Sequence, residues 1–393
     1  MPENNNLDFE NIIPDVSGEE IPPENQENSQ EPEKSQENNF NNNFKSQQNQ
    51  FTGGYYSPPV NHTYVTYIPY GLTPQTYEER KDIKKSARTV GLAFLASHLI
   101  ILIISFALAF GVQYLSFSIP KLQNLMSEPV FLHTQQIILS MFMFTVPFII
   151  VFKMMGYRIS NLIEFKKPEK GLFLPFFLFG VGFCAFANIA TNYAHAFFQS
   201  FGINYDVDFG DNPEGFFGFM LTVISTVLVP AFVEEFACRG VVLGSLRKYG
   251  DKFAILVSAI LFGAMHGNFE QMPFAFLVGL VLGFVTVQSG SIWIAILIHG
   301  FNNGISVIFD YFLGNISVDI QNVIYAIFLC SSLLLSIVAF ILLKNKDKAY
   351  IFKVPDKKTE CTEKQKYKWF FTGALIIIYL VICVLESLSF FIM

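Results

Sequence analysis

The sequence has little charge and few cysteines for its length. Charged residues make up only 15% of the 393 residues, whereas hydrophobic residues make up 52% and the mean hydropathy is +0.40. Soluble domains carry about 25% charged residues, so this shortage excludes an ordinary soluble globule. The five cysteines have no paired spacing, which excludes a disulfide framework and a zinc ribbon. The net charge of −6 gives no indication of a nucleic-acid partner, and none is expected.

The polar residues that the chain does have are concentrated at its N-terminus. Residues 1–50 are mostly Asn, Gln, Glu, Ser and Pro, a composition that cannot bury enough apolar surface to offset its ordering entropy. We therefore predict a disordered cytoplasmic tail over residues 1–85. No signal peptide is visible, because the first apolar run begins after residue 90 and is long enough to span a bilayer.

The rest of the chain predicts an all-α, polytopic transmembrane helical bundle. A membrane-spanning helix needs about 20 apolar residues, and nine segments approach that length. They are 91–118, 134–155, 171–200, 216–245, 253–267, 271–289, 291–313, 320–343 and 369–392. We expect a bundle over 91–313 with a functional core at about 171–313, followed over 320–393 by two further spans joined by a lysine-rich cytoplasmic loop.

Loop charge predicts the orientation. Basic residues precede the first span, follow the second and the fourth, and fill the loop after the eighth; they are Lys81, Lys84, Lys85, Arg88, Arg158, Lys166, Lys167, Lys170, Arg247, Lys248, Lys252 and the lysines from Lys344 to Lys368. The alternate loops are mainly acidic, and Lys121 is their one basic residue. The positive-inside rule then predicts a cytoplasmic N-terminus and, with nine spans, an external C-terminus. The expected location of this multi-pass protein is the plasma membrane.

Two adjacent carboxylates and an arginine interrupt the fourth apolar span. An ionisable side chain at the centre of a membrane helix costs about 2.5–3.5 kcal/mol, so each one requires a reason. Glu235 and Arg239 are four residues apart and can pair on one helix face. Glu234 is turned away by about 100°. A structural ion pair needs only one acid, so the second acid favours a functional site.

Two later spans carry further polar residues. His266 lies near the end of the fifth span, and His299 and Asn303 share a face of the seventh. Measured from the charged turn at 247–252, Glu234 and His266 both lie roughly 18–20 Å into the membrane. His299 lies roughly 12 Å from the same side, and Asn303 roughly 6 Å deeper. We therefore expect these groups to meet in one layer that is reachable from the cytoplasm.

Three segments, each on its own apolar helix, together resemble the motifs of a known family. They are Glu234-Glu235-x-x-x-Arg239, Phe262-x-x-x-His266 and His299-x-x-x-Asn303. They are similar to the three motifs of the CAAX prenyl protease and bacteriocin-processing (CPBP, or Abi) family of intramembrane proteases. The resemblance covers about residues 171–313.

This resemblance implies an intramembrane endopeptidase that hydrolyses a peptide bond near the cytoplasmic half of the membrane. The expected substrate is a membrane-embedded or lipidated peptide, and the bilayer is the other expected partner. The implied roles are activation of water by Glu234 with help from His266, stabilisation of the oxyanion by His299 and Asn303, and support from the pair Glu235 and Arg239.

The resemblance leaves the use of a metal open. Glu234, His266 and His299 have the right chemistry for a zinc site with an open position for water. A carboxylate and a histidine can also activate water unaided. Asn303 slightly favours the metal-free mechanism, because an amide is a poor zinc ligand and a good hydrogen-bond donor.

Two other functions fit parts of the pattern. In a proton- or cation-coupled transporter the same carboxylates and histidines would form a relay. Transporters usually contain an internal repeat, and the Glu-Glu-x-x-x-Arg segment has no second copy. In a catalytically silent bacteriocin-immunity protein the motif residues would serve no chemistry, and their presence argues mildly against that function.

Overall fold

A computed structural model describes residues 68–119, 124–125, 127–168, 171–201, 211–314, 316–346 and 359–389. These residues contain helices and no strand, so the prediction of an all-α bundle is confirmed for the described part of the chain. The helices are α1 Pro74–Ser116, α2 Pro129–Met154, α3 Phe173–Gln199, α4 Gly215–Tyr249, α5 Asp251–Ala264, α6 Gln271–Ser289, α7 Ile292–Leu313, α8 Val318–Lys346, α9 Glu363–Phe371 and α10 Ala374–Ser389.

Helix α1 begins inside the range predicted as tail. Thr73 caps it, since its side chain accepts a hydrogen bond from the backbone N–H of Thr76, and the Thr76 side chain binds back to the Thr73 backbone. Pro74 occupies the first helical position, where a missing N–H costs nothing. Residues 74–85 are therefore helical, and residues 1–67 of the predicted tail lie outside the described residues.

The predicted count of nine spans is not confirmed. Seven of the described helices are long and apolar enough to cross a membrane, and the count is eight if α9 and α10, which meet at 71°, form one bent span. The predicted span that is absent from the count of eight is α5. This helix has 14 residues and is about 21 Å long, which is shorter than the hydrocarbon core. It can be short because it is enclosed by other helices: Phe253, Val257 and Leu261 are all fully buried along it.

The loops predicted to share one side of the membrane do meet at one end of the bundle. Arg247, at the end of α4, pairs with Glu164 in the loop after α2. The carbonyl oxygen of Glu164 accepts the N–H of Ile292 at the start of α7 (3.1 Å). Lys248 pairs with Asp82 of α1 (2.6 Å), and Lys366 of α9 donates to a carbonyl of this same turn. We call this the basic end.

The last helices pack directly onto the others. A Cβ on Gly91 of α1 would lie 2.8 Å from the Cβ of Leu375, so the absence of a side chain lets α10 approach α1 closely. Helix α6 approaches α5 in a similar way at Gly279, as its small-xxx-small pattern predicts. Helix α4 packs against both α5 and α7 in the part of the bundle that carries the three motifs.

Candidate active site

The first motif lies on an irregular stretch of α4. Two π-helical segments, Val223–Leu228 and Phe236–Leu243, flank a seven-residue α-helical segment, Val229–Glu235, that ends in the two carboxylates. Wide π turns are rare and often occur at functional sites, because they change the direction in which neighbouring side chains point. Here they set the orientation of Glu234 and Glu235 relative to the rest of the helix.

Glu235 is the centre of a buried charge cluster. Its Oε1 atom lies 2.8 Å from Nη1 of Arg239, and both side chains are fully buried. The same oxygen lies 2.9 Å from Nδ1 of His299 on α7. Because the carboxylate accepts, both the guanidinium and the imidazole donate to it. Glu235 therefore holds α4 and α7 together and fixes the orientation of the His299 ring.

The guanidinium of Arg239 is also held by α5 and α6. Its Cζ atom lies 4.0 Å from the centroid of the Phe262 ring, a cation–π contact, and Nη2 donates to the carbonyl of Gly279 at 3.3 Å. Phe262 makes edge contacts with the rings of His266 (5.2 Å) and His299 (5.8 Å) as well. Phe262 thus provides a common surface for one residue of each motif.

Glu234 has a different environment from its neighbour. Its side chain is 14% exposed, and its Oε2 atom is buried with no hydrogen-bond partner among the described residues. The distance from this atom to Nε2 of His299 is 4.0 Å, too long for a direct hydrogen bond. Arg239 is engaged by Glu235, so the nearest opposite charge that Glu234 can gain is a proton on His299.

His266 lies where α5 ends inside the bundle. Its Nδ1 atom is 2.8 Å from the carbonyl oxygen of Phe262. A carbonyl only accepts, so Nδ1 carries the proton and Nε2 keeps its lone pair. Gly267, with a φ of +63°, reverses the chain directly after it, a conformation that favours glycine. His266 therefore presents a proton acceptor at the end of a short helix.

Asn303 lies one turn beyond His299 on α7. Its Nδ2 atom donates to the carbonyl of Thr226, in the first π-helical segment, at 3.1 Å. The Asn302 side chain donates to Oδ1 of Asn303 at 3.3 Å. One N–H of the Asn303 amide is thereby engaged, and the amide has a second N–H to donate.

The structure brings Glu234, Glu235, Arg239 and His299 into one cluster and joins His266 to it through Phe262. No hydrogen bond or ion pair among the described residues links His266 or Asn303 to Glu234. Glu234, His266 and His299 also do not form a set of three ligand atoms within 4.8 Å of one another in the described part of the chain. The predicted zinc ligands thus have suitable donor atoms but do not converge to the distances of a coordination sphere.

One polar contact near the site had no signal in the sequence. His133 of α2 lies 2.6 Å from Oγ of Ser225, in the π-helical segment that also supplies the Thr226 carbonyl to Asn303. His133 belongs to no motif, and Ser225 is a common residue in membrane helices. Only the packing of α2 against α4 reveals the pair.

Comparison with known proteins adds one finding. Residues 216–305 match the Rce1-like family model, whose description is type II CAAX prenyl endopeptidase Rce1-like. The matched segment runs from the start of α4 into α7 and contains all three motifs, which confirms the resemblance drawn from them and is consistent with the CPBP family. No curated protein and no solved structure matches the chain.

Proposed function

We propose that this multi-pass membrane protein, which is similar to the Rce1-like endopeptidase family at residues 216–305, hydrolyses a peptide bond within the membrane with Glu234 as the general base. The observation that carries the proposal is the division between two adjacent carboxylates. Each side chain has one oxygen without a hydrogen-bond partner among the described residues. Glu235 is fully buried and its other oxygen is bound to Arg239 and His299, whereas Glu234 is partly accessible and lies 4.0 Å from His299. Glu234 is therefore the carboxylate that can accept a proton from a bound water without breaking an ion pair with Arg239.

The geometry supports a position for the attacking water. The 4.0 Å between Oε2 of Glu234 and Nε2 of His299 is short enough for a water held by Oε2 to lie beside a substrate carbonyl whose oxygen faces Nε2. Glu234 takes a proton from this water as the oxygen attacks the scissile carbonyl carbon. His266, with its free Nε2 lone pair, assists the proton transfer. The proton then passes from Glu234 to the leaving amine as the C–N bond breaks, which yields a carboxylic acid and an amine and leaves Glu234 ionised.

His299 and Asn303 are the donors to the oxyanion. Two carboxylates and one guanidinium leave the buried cluster with one uncompensated negative charge, which a proton on His299 neutralises. With Nδ1–H bound to Glu235, the protonated ring directs Nε2–H toward the reacting carbonyl. The second N–H of Asn303 supplies another donor from the same helix face. Removal of one such donor typically costs about 10²–10³ in rate.

The substrate class follows from the family description, a CAAX prenyl endopeptidase. We propose that the substrate is a membrane-embedded or prenylated peptide that is cleaved near the basic end of the bundle. In this proposal the protein lies in the plasma membrane, and the basic end and the N-terminus both face the cytoplasm. The test uses purified full-length protein in detergent and a farnesylated peptide that ends in a C-a-a-X sequence, with mass spectrometry of the products. Release of the last three residues by wild type and not by Glu234→Gln supports the proposal. Equal release by both proteins contradicts it.

A further inference from the structure

A second cluster of metal-ligating side chains lies between α1 and α10, outside the candidate active site. His98 is on α1, and Cys383 and Glu386 are three residues apart on one face of α10. One ligand atom from each of the three lies within 4.8 Å of the other two. In the described part of the chain, no other three His, Cys, Asp or Glu residues converge in this way. The proposed catalysis uses none of them.

The imidazole of His98 is oriented as a metal ligand. Its Nδ1 atom is 3.2 Å from the carbonyl oxygen of Phe94, which can only accept, so Nδ1 carries a proton. Metal-ligating histidines commonly donate their second ring N–H to a backbone carbonyl in this manner. The lone pair of Nε2 in the neutral ring then points toward the Glu386 carboxylate. Two lone pairs repel each other unless a cation, either a metal ion or a proton, lies between them.

The distances are close to those of a tetrahedral zinc site. Nε2 of His98 and Oε2 of Glu386 are 3.4 Å apart. Zinc bonds of about 2.0–2.2 Å to nitrogen and oxygen place two tetrahedral ligands about 3.3–3.5 Å apart. The Cys383 sulfur lies within 4.8 Å of the other two ligand atoms. A zinc–sulfur bond of about 2.3 Å places sulfur about 3.5 Å from a nitrogen or oxygen ligand of the same ion, so the thiol needs to move by no more than about 1.5 Å.

The surroundings bury Cys383, leave Glu386 exposed, and connect the cluster to the catalytic helices. The Tyr379 ring contacts the His98 ring edge-on at 5.3 Å, and its buried hydroxyl has no hydrogen-bond partner among the described residues. Oε2 of Glu386 lies 3.0 Å from the position that a Cβ on Gly267 would occupy. The cluster therefore adjoins the turn that directly follows His266.

We propose that His98, Cys383 and Glu386 bind a zinc ion, or a similar late first-row transition metal, with a fourth position left for water. Cys383 binds as the thiolate, and its proton is released to solvent. A mixed nitrogen, sulfur and oxygen set suits zinc better than magnesium or calcium, which prefer oxygen alone. The ion fixes α10, which lies outside the matched family segment, onto α1 beside the His266 turn.

Cobalt titration tests the site without reference to peptidase activity. Full-length protein, stripped of metal in detergent, is titrated with Co²⁺, whose bond to a thiolate gives a near-ultraviolet charge-transfer band. Wild type should show a band that saturates at one Co²⁺ per chain and disappears when Zn²⁺ is added. Cys383→Ser should abolish the band, and Glu386→Gln should weaken Co²⁺ binding by about tenfold or more.

Cys238→Ser is the matched control, since Cys238 is a buried thiol on α4 beside the catalytic carboxylates. It should retain the band. No band in wild type, or a band that survives Cys383→Ser, overturns the proposal and leaves a protonated His98 paired with Glu386. A band that disappears in Cys238→Ser instead assigns the metal to the catalytic centre. If Cys383→Ser does not fold, unchanged Co²⁺ affinity in Glu386→Gln overturns the proposal.

Discussion

Nδ1 of His299 lies 2.9 Å from Oε1 of Glu235, although 64 positions separate the two residues in the chain. This bond joins the first and third motifs and makes Glu235 the shared partner of a histidine and an arginine. Glu234, one residue earlier, has neither bond and is left beside Nε2 of the same histidine. Two adjacent and chemically identical side chains thus have different surroundings.

The first prediction separates these roles by substitution. Glu234→Gln should abolish activity and leave the protein folded, because the amide keeps the shape of the side chain but cannot accept a proton. Glu235→Gln should lose both activity and stability, since it leaves Arg239 buried without its carboxylate. Breaking a buried pair in this way costs about 3–5 kcal/mol. Thermal unfolding in detergent measures the difference, and equal stability of the two variants argues against the division.

The second prediction concerns Phe262, which is 2% exposed and lies under the guanidinium of Arg239. Phe262→Leu keeps the site apolar but removes the cation–π contact, worth about 2 kcal/mol when desolvated. It also removes the edge contacts that orient His266 and His299, so activity should fall more than the loss of stability explains. Phe176→Leu, at a fully buried phenylalanine in α3, is the control and should lower stability alone. An equal loss of activity in both variants contradicts the role of Phe262.

Local spacing made much of the site predictable. Glu235 and Arg239 are four residues apart on one helix, so their pairing follows from helix geometry alone. His299 and Asn303 share a face for the same reason. The bond from His299 to Glu235 could not be predicted, because it depends on how α7 packs against a π-helical stretch of α4.

Length and burial explain the other differences between sequence and structure. Hydropathy treats every apolar segment as exposed to lipid, so it predicts a span at α5, which is enclosed by neighbours and ends early at Ala264. His98 and Cys383 are separated by most of the chain and belong to no local pattern. The contact between α1 and α10 is what brings them together.

The third prediction distinguishes a metal-free mechanism, in which Asn303 stabilises the oxyanion, from activation of the water by a zinc ion. Asn303→Ala should reduce the rate by about 10²–10³ and leave measurable activity. If zinc activates the water instead, replacement of His266 or His299 should remove bound metal as well as activity. Elemental analysis should use the Cys383→Ser background, so that the second cluster does not contribute. Stoichiometric zinc in that background, with activity lost on chelation and restored by zinc, would overturn the metal-free mechanism.

The fourth prediction concerns orientation. Phe165 is 55% exposed at the basic end, and Val318 is 67% exposed at the start of α8, at the opposite end. In intact cells a membrane-impermeant maleimide should label Val318→Cys and not Phe165→Cys, and permeabilised cells should allow both. Labelling of Phe165→Cys from outside intact cells would contradict this orientation and place the basic end outside the cell.

Native thiols interfere little with that experiment. Cys330 is the exposed one and can be replaced by serine. Cys361 lies near the basic end, where burial, with a further contribution from Glu79, raises the pKa of its thiol to about 12. At neutral pH almost none of it is the reactive thiolate. Persistent labelling after the Cys330 replacement, with no engineered cysteine present, would show that the buried thiols are accessible.

The most direct test of the central claim requires no prior choice of substrate. Membrane peptides are compared by mass spectrometry between cells that express wild type and cells that express Glu234→Gln, at equal protein levels in the membrane. We predict that the variant accumulates at least one membrane-bound peptide that is longer than its wild-type counterpart, with the difference at one cleavage position. Identical peptide populations in the two cell lines would contradict the claim that Glu234 is the base of an intramembrane endopeptidase.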